Sequence, residues 1–408
     1  FKVRASYGSL GNQNTSSLYP TYSTIGTGTG SWIIDGTLAN VAWAPSLVSY
    51  NLSWEKIRTW NAGVDFGLFN NRLTGSFDYY IRKTDDMVGP SEKLPVVLGT
   101  AVPSSNNTNL KTFGWELELM WKDRLNNGLN YSARFTLADS RTKITRYSNP
   151  SGLIDGFYAG KYVGEIWGYE TIGIAQSDQE MAEHIGRLIN GGQSNLGQDW
   201  KAGDIMYKDL NEDGKIDAGS RTLQDHGDLK RIGNSTPRYN VGLELAADWK
   251  GFDIRMFWQG TLKRDYFQGS YYFWGANGRQ GPWFSTALKG HDDYFRNDEA
   301  SPLGTNLNSY YPRPLFNTDK NQQSQTKYLQ DASYLRLKNL QIGYSLPHNI
   351  VQKMGMQHLR IFASGENLFT ITSLIDFFDP ESIEGGSWGH GNVYPLSRTF
   401  SFGLNVTF

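Results

Sequence analysis

The sequence predicts an all-β fold, a transmembrane antiparallel β-barrel, and three observations predict it. Apolar and polar residues alternate with period 2 in segments of about ten residues, the length a tilted strand needs to cross a bilayer. No stretch approaches the roughly 20 apolar residues of a spanning helix. The connections between the alternating segments are short and long by strict turns, as in barrels with short turns at one rim and long loops at the other. Composition agrees. Aromatic residues make up 14% of the 408 residues, Gly numbers 45, and charged residues reach only 19%. A net charge of -1 gives no basic field for nucleic acid and no acidic excess for disorder. The absence of cysteine removes disulfides, thiol catalysis and Cys zinc sites together.

The first strand starts at once, with Phe1 running into Lys2-Val3-Arg4-Ala5-Ser6-Tyr7, so the chain is expected to be a piece of a longer polypeptide. Trp60, Ala62, Val64, Phe66 and Leu68 share one face of the next strand. Asn70-Asn71 then turns the chain into Leu73, Gly75, Phe77, Tyr79 and Ile81. Phe113, Trp115, Leu117, Leu119 and Trp121 pass through Asn126-Asn127-Gly128 into Leu129, Tyr131, Ala133, Phe135 and Leu137. A third hairpin joins Tyr239, Val241, Leu243, Leu245 and Ala247 through Lys250-Gly251 to Phe252, Ile254, Met256 and Trp258. In segment 331–345 the apolar phase slips between Leu335-Leu337 and Leu340-Ile342, which predicts a bulge. Its partner begins at Leu359. Phe400, Phe402, Leu404, Val406 and Phe408 make the last strand, which should pair with 358–370 on one side and with a strand from outside this sequence on the other.

This reading gives about ten strands, beginning near residues 1, 57, 72, 111, 129, 238, 252, 331, 358 and 397. The short turns at 69–71, 123–128, 249–251 and 346–357 are expected to be periplasmic. Long loops at 10–56, 84–110, 140–237, 263–330 and 371–396 are expected to be extracellular. Within 140–237, the stretches 168–174 and 204–208 should form a hairpin standing above the membrane. Between them Ser177-Asp178-Gln179-Glu180 is a capping box for a short helix to about Leu188.

One motif carries metal chemistry. Asp209, Asn211, Asp213 and Asp217 occupy positions 1, 3, 5 and 9 of an EF-hand-like loop, with Gly214 at the tight turn and the Lys215 carbonyl at position 7. Hard oxygen donors at that spacing suit Ca²⁺ in a structural role. Position 12 is Ser220 rather than a bidentate acid, so the loop either borrows Asp225 or Asp228, or is a metal-free turn built on Asx chemistry. In the 263–330 loop, Tyr271, Tyr272, Trp274 and Trp283 are candidate stacking platforms for substrate; alternatively such aromatics serve to pack a long loop. His291-Asp292-Asp293 stands alone among six scattered histidines, and no nucleophile elbow, phosphate loop or zinc helix occurs. No catalytic residue is assigned.

Several blocks together resemble one family. Trp54-Glu55-Lys56 with Asn61-Ala62-Gly63-Val64-Asp65-Phe66-Gly67, Gly203-Asp204-Ile205 before the acidic loop, Ala332 to Asn339, Ser364-Gly365-Glu366-Asn367-Leu368-Phe369, and Tyr394-Pro395-Leu396-Ser397-Arg398 are similar to SusC-like TonB-dependent transporters of Bacteroidetes. Ser220 departs from the family's pattern. The resemblance implies that the ten strands are the C-terminal portion of a ~22-stranded plugged barrel in the outer membrane, the plug domain and TonB-contacting segment lying outside this sequence. It also implies import of oligosaccharides or oligopeptides, energised through TonB, beneath a SusD-like surface lipoprotein, with terminal Phe408 read as an assembly signal. The competing reading is a self-contained ten-stranded barrel acting as a surface hydrolase or adhesin, which requires residues 1–9 to pair with 397–408.

Overall fold

A computed structural model describes residues 1–13, 19–45, 47–89, 102–276, 278, 285, 287–385, 391, 393–394 and 396–408. Ten strands form its wall: β1 (Lys2–Asn12), β2 (Glu55–Leu68), β3 (Leu73–Gly89), β4 (Ser105–Arg124), β5 (Asn130–Arg146), β6 (Arg238–Trp249), β7 (Phe252–Lys263), β8 (Tyr334–Ser345), β9 (His358–Thr372) and β10 (Thr399–Thr407). They make one antiparallel meander in which each strand neighbours the next in sequence. All ten expected strands are present. Because every neighbour is antiparallel, the turns after β2, β4, β6 and β8 lie at one end and the long connections at the other. Asn70 and Trp274 therefore sit at opposite ends. β10 pairs with β9 as expected. The sheet is open between β1 and β10, which do not pair with each other among the described residues, so the closed ten-stranded alternative fails.

Strand register explains why alternation dominates the sequence. One row of direct partners crosses nine strands as Val3, Val64, Phe77, Leu117, Leu137, Val241, Gly260, Leu335 and Ile371. The adjacent row, on the opposite face, reads Arg4, Gly63, Asp78, Glu116, Ala138, Asn240, Thr261, Tyr334 and Thr372. Apolar side chains thus face outward and polar ones inward, the pattern of a barrel with lipid outside and a polar lumen. In the lumen Arg4 bridges Asp65 at 2.8 Å and Asp78 at 2.7 Å. Gly63 leaves room for that cluster, since a Cβ there would run into Asp78 Oδ1.

Turn chemistry sets the short rim. Lys250 and Gly251 both have positive φ, 49° and 89°, as a two-residue type I′ hairpin requires. Phe69, Asn70 and Asn71 all take positive φ as well. Aromatic pairs mark both rims: Phe252–Tyr344 with ring centroids 4.5 Å apart at the short-turn end, Tyr7–Trp60 at 4.4 Å toward the long-loop end. The expected bulge is at Lys338, where the register to both neighbouring strands shifts between Leu337 and Asn339.

The long connections differ from the expectation in detail. Stretch 168–174 is two short strands, not one: Thr171–Ile174 pairs with Ile205–Tyr207, whereas Glu165–Gly168 pairs with Lys230–Asn234. The break falls at Tyr169, whose N–H donates to Ser324 O at 2.8 Å instead of to a strand neighbour. An extra hairpin, Thr27–Ile34 with Thr37–Ala42, lies in the first long connection. Its Thr-Gly-Thr-Gly start carries no apolar period to betray it. The helix spans Asp178–Gly186, with Ser177 Oγ accepting from Glu180 N at 3.1 Å and Glu180 Oε2 accepting from Gln176 N at 2.7 Å.

Candidate functional site

At the long-loop end three of the connections fold together into a cap with its own core. Ile154, Tyr169, Ile205, Tyr207, Ile216, Leu229, Phe273, Trp274, Tyr311, Tyr328, Leu374, Phe378 and Ile383 come from three different connections, those after β5, β7 and β9, and pack as one cluster. Edge-to-face ring pairs hold its centre, with Phe273–Tyr311 at 5.5 Å and Trp274–Tyr328 at 4.7 Å between centroids. Such pairs add about 0.5–1.5 kcal/mol each beyond the area they bury.

A buried ion cluster ties two of these connections together. Asp204 is fully buried and accepts from Arg313 Nε at 2.7 Å, Arg313 Nη2 at 2.8 Å, Asn321 Nδ2 at 2.9 Å and Lys201 N at 2.9 Å. Lys320 Nζ lies 2.9 Å from its Oδ2 and also donates to the carbonyls of Gln198 and Asp199. Burial pushes the Asp204 carboxyl up, but the hydrogen bonds from Arg313, Asn321 and Lys320 outweigh it and hold it below the usual carboxylate range. Lys320 in turn lies over the Trp200 ring at 4.5 Å. Sequence reading noted Gly203-Asp204-Ile205 only as part of a block. Nothing local signals its side-chain partners Arg313, Lys320 and Asn321, which are more than a hundred residues away.

The acidic loop follows Tyr207 directly. Asp209 Oδ1 accepts from Glu212 N at 2.7 Å and Oδ2 from Gly214 N at 2.9 Å; Asn211 Oδ1 accepts from Asp213 N, and Asp213 Oδ1 from Lys215 N at 3.1 Å. Gly214 has φ 79°, as the tight turn requires. Asp217 Oδ1 accepts from Gly219 N, and its Oδ2 lies 2.8 Å from Lys215 Nζ. Asp225 is bound to Ser220 through both N and Oγ. Asp228 is buried beneath the loop, where it accepts from Leu210 N at 2.7 Å and Asp217 N at 2.9 Å, and burial raises its carboxyl above the ordinary range. Four oxygen side chains thus share one turn, each engaged with its own backbone. Among the described residues no three His, Asp or Glu side chains converge in a metal-holding group.

The aromatic candidates separate. Tyr271 and Tyr272 are half-buried, their ring centroids 4.3 Å apart. Trp274 is 7% exposed and belongs to the cap core. It also lines a cavity of about 350 Å³ with His291, Tyr294, Tyr311, Pro312 and Phe316. Trp283 lies outside the described residues. His291 serves the backbone, accepting from Leu288 N at Nδ1 and placing Nε2 3.0 Å from Tyr272 O. Asp293 accepts from Asn306 Nδ2.

Compared with known proteins, residues 1–368 match the family described as TonB dependent receptor-like, beta-barrel. TonB-dependent receptor P3 of Formosa agariphila is 29% identical over the whole chain, which covers 39% of its length. TonB-dependent receptor SusC of Bacteroides thetaiotaomicron is 27% identical over 89% of the chain and 33% of its own length. The solved RagAB peptide transporter superposes with a TM-score of 0.71 at 23% identity, over all of this chain and 40% of that one. The chain therefore spans about two fifths of the length of the relatives it matches.

Proposed function

Because the chain belongs to the TonB dependent receptor-like β-barrel family, we propose that its ten strands are the C-terminal part of a ~22-stranded plugged barrel importing oligosaccharides or oligopeptides across the outer membrane. One observation carries the reading. A meander with an apolar outer face places its long connections at one rim, and three of them share a single core that makes a cap there. A wall in lipid supplies the passage; a cap at one rim supplies a surface that substrate and a lid protein can meet. Short turns then face the periplasm and the cap faces outward, beneath a SusD-like lipoprotein, while TonB acts through the part of the protein outside this sequence. Transport moves substrate without making or breaking its bonds, so no catalytic group is required.

Tyr271, Tyr272 and Trp274, with Trp283 of the same connection, are the proposed substrate contacts. The Trp274 cavity suits a ring or an apolar side chain with polar neighbours, as ligand pockets generally do. The acidic loop is proposed to hold Ca²⁺ as a brace through Asp209, Asn211, Asp213, the Lys215 carbonyl and Asp217, in competition with the Lys215 ammonium. Chelation should then loosen 209–217 in hydrogen exchange; equal protection with and without chelator, and a harmless Asp213→Ala, would leave only the metal-free turn.

The transport reading is tested by uptake of labelled glycan and peptide pools into cells expressing the full-length protein with its neighbouring lid lipoprotein. Accumulation that stops when TonB is deleted is the expected result. Accumulation independent of TonB, or none from either pool while the barrel is assembled, would overturn it.

A further inference from the structure

We infer that the outward face of β2–β5, just beyond the level of the Tyr7–Trp60 pair at the long-loop end, binds the phosphate groups of membrane lipids. The strand register places Arg58 opposite Lys83, Lys83 opposite Lys111, and Lys111 opposite Lys143. These are three consecutive like-charge pairs on four adjacent strands, and like charges directly opposite destabilise a sheet. The row points outward, because each member lies two residues from a member of the outward row Trp60, Ile81, Phe113 and Arg141. Arg58 pairs with Asp85. No carboxylate answers Lys83 or Lys111 among the described ion pairs, and Lys143 faces the Tyr162 ring, 5.6 Å from its centroid.

Arg141, the neighbour of Lys143 on the same outward face, stacks on the same Tyr162 ring at 4.2 Å. Three strand spacings give the row a width of about 14 Å, enough for more than one phosphate. Its position settles which anion it meets. Tyr7, Trp60 and Phe113 of the neighbouring outward row put rings where an interface holds them at headgroup level, and the basic row is the next outward row toward the cap. Anionic headgroups between the ammonium groups relieve the repulsion that the bare sheet carries, and each basic side chain near an anionic surface adds to the attraction.

The inference rests on the membrane-spanning reading, and its test keeps the two apart. Full-length protein and the K83Q/K111Q/K143Q variant are reconstituted in phosphatidylcholine nanodiscs containing bisphosphorylated lipid A, dephosphorylated lipid A or neither, and protein-bound lipid is counted by native mass spectrometry. The expected result is retention of bisphosphorylated lipid A by the parent, a tenfold or greater loss in the triple variant, and recovery in K83R/K111R/K143R. Heat-modifiable migration of all three proteins would show that the barrel itself is intact, and its loss in the parent would strike the membrane reading instead. Equal retention by parent and triple variant, equal retention of the dephosphorylated lipid, or full competition by millimolar inorganic phosphate would each overturn the proposal, the last by showing a free-anion site.

Discussion

Wall and cap use the same aromatic and aliphatic residues for opposite purposes. In β10, Phe400 and Phe402 are 68% and 85% exposed and touch almost nothing in the chain, whereas Phe273, Tyr207 and Tyr328 of the cap are fully buried. The wall's backbone is satisfied by its ladder, so its side chains are free to meet hydrocarbon, where an unpaired backbone group would cost several kcal/mol. The cap has short strands and little ladder. It must make a water-excluding core of the kind any soluble domain makes, and it fastens that core with buried charge. Alternation is therefore the signature of the wall, and long-range polar contacts are that of the cap.

The sharpest way to separate the two regions is to unpair the buried cluster. Asp204→Asn leaves Arg313 and Lys320 without their carboxylate, and breaking a buried pair by removing one partner costs about 3–5 kcal/mol. Hydrogen exchange should rise at 205–207 and 318–328 while the wall strands stay protected. A uniform rise through wall and cap would mean that they are one cooperative unit.

A charge on the wall's outer face is the complementary test. Phe77→Arg, in the middle of the apolar row, should cost about 2–4 kcal/mol of barrel stability in lipid. Ile172→Arg, on an exposed position of the cap, should cost almost nothing. Folding yields into vesicles measure both, and equal yields would refute the assignment of the two surfaces.

Acid distinguishes the regions more gently. Asp204 has a folded pKa held below its unfolded value, so its contribution is present above the ordinary carboxylate range and is lost as pH falls through the folded value. Asp228 is raised by burial and runs the other way: its contribution is complete below the ordinary range and declines as pH rises through the folded value. The cap should loosen on acidification in the Asp204 segment first, and Asp204→Asn should abolish that step in pH-resolved exchange. The smallest effect is expected at the helix start, where Ser177→Ala removes one cap hydrogen bond and about 1 kcal/mol of local stability, read as faster exchange at Glu180.

Strand number, strand order and the end at which each connection lies were legible because a sheet with lipid on one face and polar lumen on the other imposes period 2 on every residue. Asn70-Asn71, Gly128 and Lys250-Gly251 were legible because positive φ restricts residue choice. Even the bulge at Lys338 showed as a slipped phase. The family blocks and the acidic loop could be read in the same way, each being a local spacing of residue types.

Tertiary structure alone decided the cap. Sequence could offer Trp274 as either a platform or a core residue, since burial depends on what two other connections bring against it. It could not pair Asp204 with Arg313 and Lys320, nor engage Asp225 with Ser220 and set Asp228 beneath Asp217. Register likewise made Arg58, Lys83, Lys111 and Lys143 one row, although each looks like an ordinary strand-end charge along the chain. Local periodicity records which way a side chain points, because successive side chains on a strand alternate by geometry. What it meets there is set by segments far away in sequence, and only the fold brings them together.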